Sequence, residues 1–189
     1  MYLCTVRLIL LAMIGVLLTG CAKRIETFSE EGLDFSFYSR VAVLPFENNS
    51  EDEYADERMV DILTTAVLKR GLFEVVEKGD LKHFFREEVA GRDVTSLDQA
   101  SAKVLAKNLK VDAYIAGSVD SYETVRNGPY SYPVVAVTLR MVDANSGRIV
   151  WQAHGSESGY RTWQRIFGFA SNDIHQVSMQ LLAKLFKTL

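Results

Sequence analysis

Cysteine is almost absent from this chain. Cys4 and Cys21 are the two it has, so the stretch after Cys21 can form no internal disulfide and do no thiol chemistry. Proline is scarce, with three, and none precedes Pro45, so the N-terminal part is not a proline-stiffened spacer. No apolar run reaches the roughly 20 residues of a membrane-spanning helix. Neither sign of charge dominates: the net charge is -3 with acids and bases interspersed, which is no electrostatic footprint for nucleic acid. His83, His154 and His175 stand apart without metal-ligand spacing. No zinc site and no cofactor is expected.

Motifs of catalysis are missing too. Gly155-Ser156-Glu157-Ser158-Gly159 has glutamate where a nucleophile elbow needs serine. Asp143-Ala144-Asn145-Ser146-Gly147 starts like a calcium loop but lacks the later bidentate glutamate at the proper offset; a hairpin turn accounts for it. There is no phosphate-binding glycine pattern. The expectation is a binding and assembly protein, not an enzyme.

What is present begins with Leu18-Thr19-Gly20-Cys21, which closes the short apolar run from Leu8 to Leu18. That run is about half a membrane span, which fits the apolar core of a signal peptide behind the weakly positive Arg7. Small Thr19 and Gly20 followed by Cys21 read as a lipobox, so residues 1–20 are expected to be removed and Cys21 to carry acyl chains. Each buried methylene contributes about 0.8 kcal/mol, so several chains hold stably where one is marginal. Ala22 follows the cysteine, with no aspartate there to signal inner-membrane retention. The expected address is the outer membrane, facing the periplasm.

Residues 21–39 read as a lipidated tether and residues 40–189 as one α/β domain. Phe28, Phe35, Phe37 and Tyr38 make the tether aromatic, which suits packing on its own domain or on a neighbouring subunit. Arg40 to Phe46 is an apolar run that reads as a buried strand ended by Pro45. Ser50 and Glu53 have capping-box spacing, and Ala55, Met59, Ile62, Leu63, Ala66 and Val67 recur at helical spacing up to a Lys69-Arg70-Gly71 stop. Leu72 to Glu77 reads as a short strand, and Asp80 as the cap of a helix to about Glu88. Val89 to Thr95 reads as a loop, and a second capping box, Ser96 with Gln99, opens a helix to Leu109. Val111 to Glu123 reads as a strand with a bulge or close contact at Gly117. Val135, Val137, Leu139 and Met141 alternate with other residues, and Ile149, Trp151 and Ala153 continue beyond the turn as a β-hairpin. Ile174 to Leu189 reads as an amphipathic helix. The order β-α-β-α-α-β-β-β-α predicts a mixed β-sheet with helices packed against it.

The stretches VAVLPFEN (41–48), RGLFEVVEKGDL (70–81), VDAYIAGSVDSYE (111–123) and VTLRMVDANSGRIVW (137–151) resemble an envelope lipoprotein superfamily. It includes the curli-secretion channel, lipoprotein activators of penicillin-binding proteins, and the Pel polysaccharide export lipoproteins. Tyr122 to Val134 is expected to be a loop too short for the channel's membrane-spanning hairpins. Residues 159–169 hold Tyr160, Arg161, Trp163, Arg165, Phe167 and Phe169. Aromatics and arginines together suit the headgroup level of a bilayer, though the same segment suits a core loop. In this it is similar to the Pel export family.

That resemblance implies Trp163 as a membrane-inserting residue and Cys21 as the lipid anchor. It also implies a ring of copies at the outer membrane, a partner export channel, and a cationic polysaccharide guided through an acidic lumen in biofilm formation. Glu51, Asp52, Glu53, Asp56 and Glu57 crowd the first helix N-terminus. Stabilisation of the helix dipole, about 0.3–1 kcal/mol each, accounts for them, and an acidic rim for the polymer is the functional alternative. Two other roles remain open: a lipoprotein activator of a peptidoglycan synthase, and an accessory lipoprotein of another envelope secretion system.

Overall fold

The computed structural model describes residues 25–88, 94–159 and 172–189. Their framework is a seven-stranded mixed sheet. The strands are β1 (Glu26–Ser29), β2 (Arg40–Val43), β3 (Glu47–Asn48), β4 (Glu74–Val75), β5 (Ala113–Asn127), β6 (Tyr130–Asp143) and β7 (Ile149–Ser158). The helices are α1 (Ala55–Arg70), α2 (Lys78–Glu88), α3 (Gln99–Leu109) and α4 (Ile174–Leu185), with a 3-10 turn at Phe35–Phe37. Strand order across the sheet is β1-β7-β6-β5-β2-β4, and β3 pairs with β5 beyond the end of β2. The β4, β2 and β5 pairings are parallel; the β5, β6, β7 and β1 pairings are antiparallel. The expected α/β architecture is the one observed, with β1 and β3 added.

Each face of the sheet has its own core. On one face α1 and α4 bury Met59, Leu63, Val67, Val177, Leu181 and Leu185 against Val41, Val137, Leu139 and Trp151. On the other face α2 and α3 bury Leu81, Phe84, Ala102 and Leu105 against Ala42, Leu44, Tyr114 and Ala116. The alternation in β6 is obeyed: Val135, Val137, Leu139 and Met141 are fully buried. Trp151 stacks on Phe186 at 6.1 Å, and its Nε1 donates to Thr188 Oγ1 at 3.1 Å. All six apolar residues expected on the inner side of α1 are buried there. Gly71 ends that helix in the left-handed region, φ 61°, where glycine carries no Cβ penalty.

Several elements depart from expectation. The arm read as a tether is folded from Ile25 onward. β1 pairs with β7, Ile25, Leu33 and Phe35 pack on the core, and Tyr38 is buried with its hydroxyl bonded to Asp143. Its apolar residues found a place on the chain's own domain, although Phe28 and Phe37 stay exposed. Neither capping box forms. Ser50 Oγ bonds Asn48 Oδ1 at 2.7 Å, and α1 starts later, behind Tyr54, which supplies no side-chain cap. Asp98, not Ser96, caps α3, accepting from Ser101 N at 2.7 Å. α2 starts at Lys78, ahead of Asp80, with Glu77 accepting from Gly79 N.

The stretch from Tyr122 to Val134 is hairpin ladder rather than loop, with only Gly128-Pro129 between β5 and β6. Gly117 is a close-contact point, since a Cβ there would lie 2.4 Å from Thr138 O; the bulge itself falls between Val119 and Ser121. A second bulge opposite Met141 and Val142 turns Val150 inward and leaves Ile149 exposed, reversing the expected side of Ile149.

Candidate interaction site

The acidic segment sits where the chain leaves β2 and climbs into α1. Pro45 cannot extend the ladder of β2, so the chain shifts over and pairs again as β3, with Glu47 opposite Ser118. The five carboxylates then take different roles. Asp52 is structural: its Oδ2 accepts from Arg58 Nη1 at 2.7 Å and its Oδ1 from Tyr54 N at 2.9 Å. Its backbone oxygen accepts from Asn48 Nδ2 at 2.8 Å. Glu51 and Glu53 are exposed on the turn before the helix. Asp56 and Glu57 instead line one wall of a cleft between α1 and α2. Nearby, burial pushes the Tyr122 phenol above its ordinary range, with Arg58 opposing the shift.

That cleft follows from the shortness of β4, which ends at Val75 opposite Val41. Beyond it, α1 on one face and α2 on the other face each other across the edge of β2. The cleft holds about 140 Å³, lined by Val43, Pro45, Phe46, Val60, Leu81 and Phe85, with Asp56 and Glu57 on the α1 side and Lys78 and Lys82 on the α2 side. Lys78 Nζ reaches across from α2 to Asp61 Oδ1 on α1 at 2.9 Å, an exposed ion pair. Sequence reasoning missed this site. The i, i+4 pairs Leu81 with Phe85 and Lys78 with Lys82 were the available signal, but a cleft needs two helices brought together.

The helices α2 and α3 cover only the β2 and β5 side of their face. Toward β7 no helix among the described residues covers this face, and a hydrogen-bonded polar cluster occupies it. Asp120 Oδ1 accepts from Ser118 Oγ at 2.7 Å, and Asp120 Oδ2 from Thr138 Oγ1 at 2.8 Å. Thr138 Oγ1 lies 3.0 Å from His154 Nδ1. With the threonine proton given to Asp120, the histidine Nδ1–H is the donor in that second bond. Asn49 Nδ2 ties the cluster back to the acidic loop at 3.4 Å. These bonds use the hydroxyls to hold three strands in register.

Cys21 and residues 160–169, with Tyr160, Arg161, Trp163, Arg165, Phe167 and Phe169, lie outside the described residues. Their flanks are described. Gly159 N donates to Pro133 O at 2.8 Å, and Asn172 N to Gly159 O at 3.1 Å. The two flanks of the aromatic segment are therefore held together at the end of the sheet carrying the β5–β6 turn. β1 runs antiparallel to β7, with Glu26 opposite His154, so the N-terminal chain enters β1 from that same end. The Asp143 to Gly147 turn uses its own aspartate: Asp143 Oδ1 accepts from Ser146 N and Ser146 Oγ, both at 2.7 Å. Among the described residues no three His, Cys, Asp or Glu are grouped to hold a metal ion.

In solved structures, this fold is similar to the PelC dodecamer from Paraburkholderia phytofirmans: 19% identity, TM-score 0.60, covering 88% of this chain and 96% of that one. It is also similar to lipoprotein GNA1162 from Neisseria meningitidis, at 21% identity and TM-score 0.54, covering 64% of this chain and 82% of that one. At these identities the likeness is one of fold. Comparison with curated proteins gave no match. The family model described as peptidoglycan-synthase activator LpoB matches residues 23–156. The expected superfamily is thus the observed one, and its matched member family is the activators. By that match over residues 23–156, the chain belongs to the LpoB family of peptidoglycan-synthase activators.

Proposed function

We propose that this protein activates a peptidoglycan synthase by docking to it, while an acylated Cys21 holds it at its membrane. The observation that carries this is the match to an activator family across the fold. The protein is a lipid-anchored, periplasm-facing outer-membrane lipoprotein and a non-catalytic accessory protein. The folded body sets its reach. Ile25 already packs on the core, so four residue steps from Cys21 span at most about 14 Å. The synthase has to come to this protein. The test is glycan polymerisation by a purified synthase from the same envelope, with and without the full acylated chain in detergent. A several-fold rise in rate is expected; an unchanged rate overturns activation.

The short reach and the likeness to the PelC dodecamer over 96% of that chain favour a second reading. In it, copies form a ring that assists export of a cationic polysaccharide through an outer-membrane channel. Trp163, flanked by Tyr160, Arg161, Arg165, Phe167 and Phe169, is then a second membrane contact. Glu51, Asp52, Glu53, Asp56 and Glu57 form an acidic rim, in which Asp52 is already neutralised by Arg58. The mass of the full chain in detergent separates the readings: a closed ring favours export and a monomer favours activation. Trp163→Ala in a Cys21→Ala background should weaken binding to anionic vesicles. Equal binding removes Trp163 from the contact.

A further inference from the structure

The cleft between α1 and α2 has a floor, two charged walls and an open mouth. Its floor is Val43, Phe46 and Leu81, all buried, and its rim is Pro45, Val60 and Phe85, half-buried. A volume of about 140 Å³ is close to the roughly 150 Å³ apolar cavity that holds one benzene ring. The space therefore suits one leucine- or phenylalanine-sized side chain, and a longer apolar ligand would leave most of itself outside.

Charge narrows the occupant further. Asp56 and Glu57 stand on the α1 wall, and Lys78 and Lys82 on the α2 wall. A small anion drawn to the lysines meets two carboxylates, and a small cation drawn to the carboxylates meets two lysines. An acyl chain gains nothing from four charges at the mouth. A polypeptide can satisfy all three elements: an apolar anchor in the hole, a basic residue toward α1 and an acidic residue toward α2. We infer that this cleft docks a partner protein through one leucine or phenylalanine flanked by a base on one side and an acid on the other. The inference rests on the docking function proposed above and names the chemistry of the segment that docks. Lys78 also bridges the two walls through Asp61, which leaves Lys82 as the α2 charge free to meet the flanking acid.

The probe is a random twelve-residue peptide library displayed on phage, selected on the full acylated chain in detergent. Enriched peptides are expected to share a leucine or phenylalanine with a base and an acid on opposite sides. For a synthesised winner, replacing the anchor by serine should abolish measurable binding. The double variant Glu57→Gln and Lys82→Gln alters only exposed side chains and should weaken binding about five-fold, the scale of two exposed ion pairs. Val60→Phe, which fills the cleft, should abolish binding while far-ultraviolet circular dichroism stays unchanged. Winners without the charge pattern, winners unaffected by the double variant, or no enrichment at all would overturn the inference. So would a change in oligomer mass on Val60→Phe, which would make the occupant a second copy. Loss of peptide binding alongside retained synthase stimulation places activation on another surface, so the two ideas fail separately.

Discussion

Asp143 and Tyr38 meet at the foot of the sheet, and their hydrogen bond ties the N-terminal arm to the β6–β7 turn at 3.3 Å. Burial works against the Asp143 carboxylate, but bonds from Ser146, Tyr38 and Asn145 outweigh it and hold its pKa below the ordinary value. A group depressed in the folded state stabilises above its unfolded pKa, about 3.9, and that stability is lost as pH falls through the folded value. Urea midpoints from pH 6 to pH 2 should therefore fall in the acid range, and Asp143→Asn should flatten that fall. Tyr38 has the opposite sign. Burial and the nearby Asp143 push its phenol up to about 12, so its contribution is complete below about pH 10 and is lost as pH rises toward the folded value. Ultraviolet titration should show late-ionising tyrosines, Tyr114 and Tyr122 among them because burial raises both, and one fewer of them in Tyr38→Phe. Gly117 gives a third check. A Cβ there meets backbone Thr138 O at 2.4 Å, which a strand can relieve only by parting from its neighbour. Gly117→Ala should cost about 2 kcal/mol in urea unfolding, within the range of overpacking.

At the scale of elements, three helices have well-defined starts and one does not. Asp98 and Asp173 each accept from the third residue of their own helix at 2.7 Å. Asp98→Ala and Asp173→Ala should each lose about 1 kcal/mol, measured by thermal or urea unfolding, whereas Ser96→Ala should change stability by no more than a few tenths. The comparison explains what the sequence could disclose. Alternation in β6 and the inner side of α1 were legible because each is set by one buried face. The capping boxes misled because serine and glutamate at the right spacing also suit turns, and Asn48 claimed Ser50 first. β1 and β3 have four and two residues, too few for periodicity to show. The hairpin tip hid its strands in polar residues because, among the described residues, nothing covers Arg126 or Asn127. Of the acidic patch, the composition was plain, but its division between Arg58, the turn and the cleft depends on how β3 and α1 meet. The Asp120, Thr138 and His154 cluster joins side chains from three successive strands, and no local pattern marks it.

For the whole molecule, the decisive relation is between the folded body and its N-terminal lead. The arm, whose aromatics suited packing on its own domain or on a neighbouring subunit, is spent on the chain's own sheet, and with Cys21 as the proposed first residue only a few residues would precede Ile25. With Cys21 acylated, a fluorophore at Asn127, beside the β5–β6 turn, should lie nearer to labelled lipid than one at Asn145 on the β6–β7 turn. Energy transfer in reconstituted vesicles reads the difference, and equal transfer from both would show that the body tumbles freely on its anchor.

The pairing of β1 with β7 also changes how this protein meets anything else. A body on a long leash samples a volume, and its encounters depend on how far the leash lets it stray. A body whose N-terminal arm is a strand of its own sheet, held by the acylated Cys21 proposed above, would sample a sheet of fluid, where copies and partners share one plane and drift toward one another edge to edge. Confinement of that kind raises effective concentration without adding a contact. Weak surfaces can then act as strong ones at the membrane and fall silent when the lipid is removed. Lengthening the lead with a flexible insert between Cys21 and Ile25 would give back the third dimension, and with it the dilution.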